Sequence, residues 1–513
     1  MRKTVHGLWL TVALLLLLTA PAAAAYIRID ILSVNDYHGA LSETAANPGA
    51  AKLAGWLRAE KAKNPAGTLL VSAGDMLQGS ADANLLQGKP VIALMNAVGF
   101  DAMALGNHEF DWGLDTLQAR SRQAKFPFLA ANVLERRTQT VPGFAKPYVI
   151  VNKQGVRVAL VGLITPETAY KSSPDLVDRL EFGDPADAFR ALLPELRRQA
   201  DIIVVVSHLG GAVDAQTGAL SGEAAEFLAG SDGVDALITG HTHQGYALKS
   251  GTVPVVQARH HGRAVGKISL VYSATANRIL ASTAALIELE PEAMTADAAA
   301  AGLLAAAKAE AEPVRTLVLG SSARPLPHDR RQLSPLGQWA AEVMRRAAGA
   351  DIALQHGGGL RRGIAAGPVT LGDLYEVVPF DNQLVTVELS GRQILELLEY
   401  GIRNEAVGML QFAGIKVVFD AALPAGSRVV AATLTDGRPL QPAEVYKVAV
   451  NDFMAAGGDG YSLLKEAGKP VVLPLLLRDA LAAAIREQSP VDFTADDRLN
   501  EVFSIARPPR PAA

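Results

Sequence analysis

The stretch ALGNHEFDWG, residues 104–113, closes an apolar run and then sets Asn107, His108, Glu109 and Asp111 between two glycines. A polar group buried without a partner costs free energy, so a cluster of this kind at the end of a buried strand needs hydrogen-bond partners or a bound group. The pattern recurs along the first half of the chain. NDYHG (35–39), AGDMLQGS (73–80), SHLGG (207–211) and GHTHQ (240–244) are clusters of the same type. They end β-rich runs, among them IRIDILSV (27–34), TLLVSAG (68–74), AMAL (102–105), IIVVVS (202–207) and ALITG (236–240), with VRVALVGL (156–163) a further strand. Helical patterns lie between. One opens at Pro90, carries Val91, Leu94, Met95 and Val98 at i, i+3, i+4 and i+7, and closes at Gly99. Strand–helix alternation over residues 26–290 predicts an α/β sandwich, and in such folds sites gather beyond the carboxyl ends of the strands.

Histidine usage narrows the chemistry. Of ten histidines, five (His38, His108, His208, His241 and His243) fall in these clusters. Asp36 and His38, like His241 and His243, stand two apart, which on an extended backbone turns both members to one side. Carboxylate, amide oxygen and imidazole together suit two borderline or hard divalent ions such as Zn, Mn or Co. A bridging anionic ligand is then needed, and Asp75 in its Gly-Asp turn is placed for it. His108 and Asp111, at i and i+3, can meet on a tight turn. Glu109 and Trp112 are read as packing or bonding locally.

The rest of the chain bounds the setting. At 513 residues with 49% hydrophobic and 19% charged positions, two or more globular domains are expected. Residues 1–25 read as a signal peptide: a basic start, the apolar LWLTVALLLLL and Ala23-Ala24-Ala25 before Tyr26. Its removal takes away Arg2 and Lys3 and moves the net charge from −4 to −6, which offers no basic footprint for a nucleic acid polymer. Export to periplasm or medium, without a membrane anchor after cleavage, is the expectation. Cysteine is absent, which excludes a thiol nucleophile, a Cys-ligated zinc site and a lipid-modified cysteine. The Ala-rich segment 291–313 predicts a linking helix, 314–505 a second domain and 506–513 a frayed tail.

In that second domain LQHGGGLRRGI (354–364), VVPFDNQLV (377–385) and NDFMAAGGDGY (451–461) are polar, glycine-rich loops. Arginine after GGG suits a phosphate. Phe380 and Phe453, with turn formers around them, are read as exposed rings able to sandwich a planar base. Asp459 is placed to accept hydrogen bonds from ribose hydroxyls.

Taken together, the clusters resemble the calcineurin-like metallophosphoesterases, and the C-terminal motifs resemble the bacterial 5′-nucleotidase branch, over about residues 27–465. That resemblance implies a four-layer α/β/β/α metallophosphoesterase sandwich with a second α/β substrate-binding domain. It implies two divalent metal ions, one on Asp36, His38, Asp75 and His243, the other on Asp75, Asn107, His208 and His241. It implies His108, oriented by Asp111, beside the phosphoryl group, with a metal-bridging hydroxide attacking phosphorus in line. Arg361 and Arg330 would hold phosphate, Phe380 and Phe453 the base, and Asp459 the ribose, with Asn382, Gly358 and Gly359 lining the pocket. Two departures stand out: His356 occupies the place of the family's usual Asn, and SPLGQW (334–339) differs from the usual form near Arg330. Imidazole cannot donate and accept at one edge as Asn does. The expected substrate is a nucleoside 5′-monophosphate. A UDP-sugar, a 2′,3′-cyclic nucleotide, a thiosulfohydrolase reaction and a catalytically inactive nucleotide-binding protein are the alternatives.

Overall fold

Alternation with period two decides how each strand is buried. The computed structural model describes residues 26–172, 174–466 and 470–502, so the signal peptide and the 506–513 tail lie outside the described residues. In the first domain β1 (Tyr26–Val34), β2 (Thr68–Ser72), β3 (Ala102–Ala104) and β4 (Phe128–Leu129) run parallel. The second sheet holds β5 (Tyr148–Lys153), β6 (Val156–Ile164), β7 (Ile202–His208), β8 (Ala236–Ile238), β9 (Gly245–Ser250) and β10 (Val253–Ala258). The antiparallel β11 (Ala264–Ser273) and β12 (Arg278–Glu288) complete the first sheet. The orders are β12-β11-β1-β2-β3-β4 and β9-β10-β8-β7-β6-β5, six strands each.

Ile29, Ile31, Leu69 and Val71 of one sheet meet Val158, Leu160, Val204 and Val206 of the other in one buried cluster. The intervening residues face outward. Leu32, Val34 and Leu70 pack on α1 (Gly49–Lys61) and α2 (Lys89–Val98) through Leu53, Leu57, Val91 and Met95. On the far side Val161, Leu163 and Val205 pack on Phe189 and Leu196 of α3 (Pro185–Gln199) and Phe227 of α4 (Glu223–Ala229). The result is the four-layer α/β/β/α sandwich. Gly99 closes α2 at φ 82°, a left-handed conformation for which glycine has no Cβ penalty.

The Ala-rich segment becomes helical only from α5 (Ala298–Arg315), because Asp297 supplies the N-cap by accepting from the Ala300 amide; Pro291–Ala293 is a short 3₁₀ turn. α5 lies along the first domain's helical layer, with Ala300 in its core and a Lys89–Glu310 ion pair at 2.9 Å. The second domain is built on α6 (Pro335–Ala347) and a five-stranded mixed sheet: β13 (Ile352–Gln355), β14 (Gln383–Ser390), β15 (Gln411–Ala413), β16 (Val445–Asn451) and β17 (Val471–Leu476), ordered β15-β13-β16-β14-β17. Ile352, Leu354 and Val448 face one core, while Ala353 and Ala449 face the other together with Trp339 of α6. Loops from this sheet face the carboxyl ends of the first domain's parallel strands.

Candidate active site

Five expected ligands sit on unusual backbone. Asp36, His38, Asp75, His241 and His243 have φ of 48°, 48°, 52°, 74° and 57°. Such strained conformations cost non-glycine residues of order 1–3 kcal/mol; they persist where surrounding structure fixes them and cluster at functional sites. The expectation that the two D-x-H and H-x-H pairs converge by extended alternation is therefore corrected: they converge because each residue turns left-handed.

The ALGNHEFDWG stretch forms a 3₁₀ turn, Asn107–Phe110. Glu109, 1% exposed, accepts hydrogen bonds from the amides of Asp75, Met76 and Gly106 at 2.8, 2.8 and 2.7 Å. It thereby fixes two strand-end loops against each other; only the Gly106 bond is the local bonding expected, the other two joining it to a distant loop. A Cβ on Gly106 would lie 2.2 Å from Asp75 Oδ1, so that close approach requires glycine. Asp75 Oδ1 in turn accepts from the His108 amide at 2.9 Å.

Two groups of ligand atoms converge: Asp36, His38 and His243; and Asp36, Asp75 and His208. His38 Nδ1 lies 3.2 Å from the Gln78 carbonyl and His208 Nδ1 2.7 Å from that of Ala73. Each carbonyl can only accept, so Nδ1 carries the proton and Nε2 presents a lone pair. His38 Nε2 and His243 Nε2 face each other at 3.1 Å. Asn107 Oδ1 and His208 Nε2 are buried with no hydrogen-bond partner, although the latter is 3.2 Å from Asp75 Oδ2. Buried lone pairs converging without donors are what a cation would satisfy, so these residues fit divalent metals. His241 stands outside both groups; its ring is 5.1 Å from that of His208, and its Nε2 is 3.3 Å from Glu167 Oε2. The carboxylate can hold an Nε2 proton and leave Nδ1 as the ligand atom.

His108 Nδ1 is 2.8 Å from Asp111 Oδ2. Burial alone pulls its pKa down, but Asp111 and then Asp75 outweigh burial and hold it up to about 9.

A cleft of about 1010 Å³ opens between the domains. Asp75, Asn107 and His108 line one wall, Arg361, Phe380 and Asp459 the other. Phe380 stacks on His108, ring centroids 5.8 Å apart and planes at 22°. Arg361 opens onto the cleft and donates to the Gly358 carbonyl at 3.3 Å, while Arg330 donates to the Ala406 carbonyl at 2.9 Å. Asn382 donates to Asp452 at 2.8 Å. His356 Nδ1 is 2.9 Å from Asp459 Oδ2, and Lys171 Nζ of the first domain is 2.9 Å from Asp459 Oδ1.

Two expectations for this wall are corrected. Phe453 is not the exposed ring expected: it is 8% exposed, packs on a hydrophobic core with Gly458 folded over it, and lies 5.0 Å from the His356 ring, yet it still lines the cleft. Gly359 is buried against Gln355 and His356 and does not line the cleft; Gly358 does, so only part of the GGG turn approaches a ligand.

Residues not singled out from sequence also belong here. Asn35 donates to Asp36 Oδ2 at 2.6 Å. His260 and His261 extend the imidazole wall, His260 stacking on His243 at 4.9 Å and His261 lying 5.8 Å from His38. Burial first and neighbouring His243 and His260, respectively, lower them to about 4 and 3, so both are neutral. The HHG after β10 was the available signal. Glu167 and Lys171 gave none, since a lone charge pair reads as a solvated face.

The sandwich with carboxylates, amide and imidazoles at its strand ends defines a metallophosphoesterase. The calcineurin-like phosphoesterase family model matches residues 29–245, and that of the 5′-nucleotidase C-terminal domain matches 309–466. The 5′-nucleotidase precursor of Thermus thermophilus is 31% identical, with a TM-score of 0.78, over 93% of this chain and 99% of that one. Protein UshA of Escherichia coli is 26% identical over 98% of this chain and all of its own length. Endonuclease YhcR of Bacillus subtilis is 29% identical over 94% of this chain, which spans 41% of that relative's length. The chain belongs to the 5′-nucleotidase family of calcineurin-like metallophosphoesterases. It is a phosphoric ester hydrolase of the 5′-nucleotidase type.

Proposed function

We propose that the chain is an exported two-metal enzyme that releases phosphate from nucleoside 5′-monophosphates. The observation that carries this reading is the single cleft with the convergent lone pairs on one wall and Arg361, Phe380 and Asp459 on the other. Asp36, His38, Asp75 and His243 would hold one cation, and Asp75, Asn107, His208 and His241 the other. When bound, such ions supply Lewis acidity, activating water and neutralising phosphoryl charge. The chain's own groups do the rest. The His108 imidazolium, held by Asp111, donates to a phosphoryl or leaving-group oxygen. Arg361 pairs with the phosphate across the cleft, Phe380 offers a face to the base, and Asp459 accepts from the sugar. Export is supported by the first 25 residues of the sequence; among the described residues no helix is long and apolar enough to cross a membrane.

The test is phosphate release by purified residues 26–513, stripped of metal and reloaded with Mn²⁺, Zn²⁺ or Co²⁺. AMP, UMP, a UDP-sugar, 2′,3′-cyclic AMP, a sugar phosphate and single-stranded DNA form the panel. Preferential release from AMP or UMP, abolished by chelator and by His108→Ala, is the expected outcome. Equal activity on the sugar phosphate would remove the nucleoside specificity, and cleavage of DNA alone would replace the reading with a polynucleotide substrate.

A further inference from the structure

Asp459 is engaged from both sides. His356 Nδ1 holds Oδ2, and Oδ1 is paired with Lys171, which belongs to the other domain and ends the short helix Thr168–Lys171. Both side chains line the interdomain cleft, and the carboxylate is only 9% exposed while Lys171 is 21% exposed. Tyr400 further fixes the loop by donating to the Asp459 carbonyl at 2.8 Å. Asp459 itself sits at φ 53°, so the loop is held in one strained shape.

A vicinal diol offers two hydroxyls, each able to donate and to accept. A carboxylate can only accept, so recognising the diol fully also needs a donor beside it. His356 cannot be that donor: its Nδ1 proton is committed to Asp459, and its Nε2 is buried against Gly359. Lys171 carries three N–H donors, of which the Asp459 contact uses one. We propose that Lys171 is a specificity-determining residue: it completes, from the metal-bearing domain, a Lys–Asp pair that reads the cis-diol of a ribonucleotide. This rests on the nucleotide phosphohydrolase reading and deepens it. The sugar is recognised across the cleft, so ribonucleotides are selected over nucleotides lacking the 2′- and 3′-hydroxyls only where both domains meet the same substrate.

The experiment is a cycle in which the ligand's hydroxyls are the second change. The ratio of kcat/KM for AMP to that for 2′,3′-dideoxy-AMP is measured with metal-loaded wild type, Lys171→Met and Lys171→Arg, with p-nitrophenyl phosphate as a sugar-free substrate for wild type. One charge-assisted hydrogen bond predicts that the ratio falls about tenfold in Lys171→Met and is largely kept in Lys171→Arg. A ratio unchanged within about twofold in Lys171→Met, even if both rates drop, overturns the proposal by making Lys171 a structural strut. So does a wild type indifferent to the hydroxyls. Hydrolysis of p-nitrophenyl phosphate with neither nucleotide turned over would instead bring down the nucleotide reading itself.

Discussion

The proton on His108 is the most informative single feature of the site. With its pKa held up to about 9, the imidazole is protonated through neutral pH and gives up its proton only as pH rises through that value. A step that uses the imidazolium should therefore show kcat falling above pH 9. Asp111→Asn removes the charge that raises the value most, so the alkaline limb should move toward the ordinary value of about 6.5, with kcat at pH 7 reduced roughly fourfold by loss of the imidazolium. A pH–rate profile in which the limb stays in place in Asp111→Asn would show that another group sets it.

At the scale of elements, the site depends on two strand-end loops held in contact. The loop after β2 carries Asp75 and the turn after β3 carries Asn107 and His108, and Glu109 ties them through three backbone amides. Gly106 is the contact point. Gly106→Ala would drive a methyl into Asp75 Oδ1, and the loops must part. Because the strands themselves are packed from both sides, the fold should survive while the Asp75 carboxylate shifts. Metal affinity measured by calorimetry should then drop at least about 10-fold, the scale of losing a ligand-orienting partner, with circular dichroism unchanged. Unaltered affinity would show that the loop tolerates the methyl.

At the scale of the molecule, the ligands proposed for the cations lie in the first domain, and the cleft needs both. Cations that bind only the folded first domain stabilise it by about 2.7 kcal/mol at a hundredfold excess over Kd. Differential scanning calorimetry should therefore show chelator lowering one transition and leaving that of the second domain in place. A uniform shift of the whole endotherm would show the domains unfolding as one unit. Phe380→Ala tests the opposite wall. Base–aromatic stacking contributes about 1–3 kcal/mol, so the preference for AMP over p-nitrophenyl phosphate should fall about 5- to 150-fold.

The sandwich and the membership of the polar clusters were legible in the sequence, because both rest on local rules. A short apolar run rich in β-branched residues makes a strand buried on both faces, and a polar cluster ending such a run falls at the sheet's carboxyl edge. The i, i+3 spacing of His108 and Asp111 was legible for the same reason. Contacts between distant segments set the rest. Left-handed backbone at Asp36, His38, His241 and His243 is imposed by loops far apart in the chain, as where the His241 amide donates to Asp36. Phe453 is buried by a glycine loop whose path no local pattern encodes. The Lys171–Asp459 pair joins residues 288 positions apart, and what brings them together is the packing of two domains, a free-energy balance spread over both surfaces and written in no single stretch of the chain.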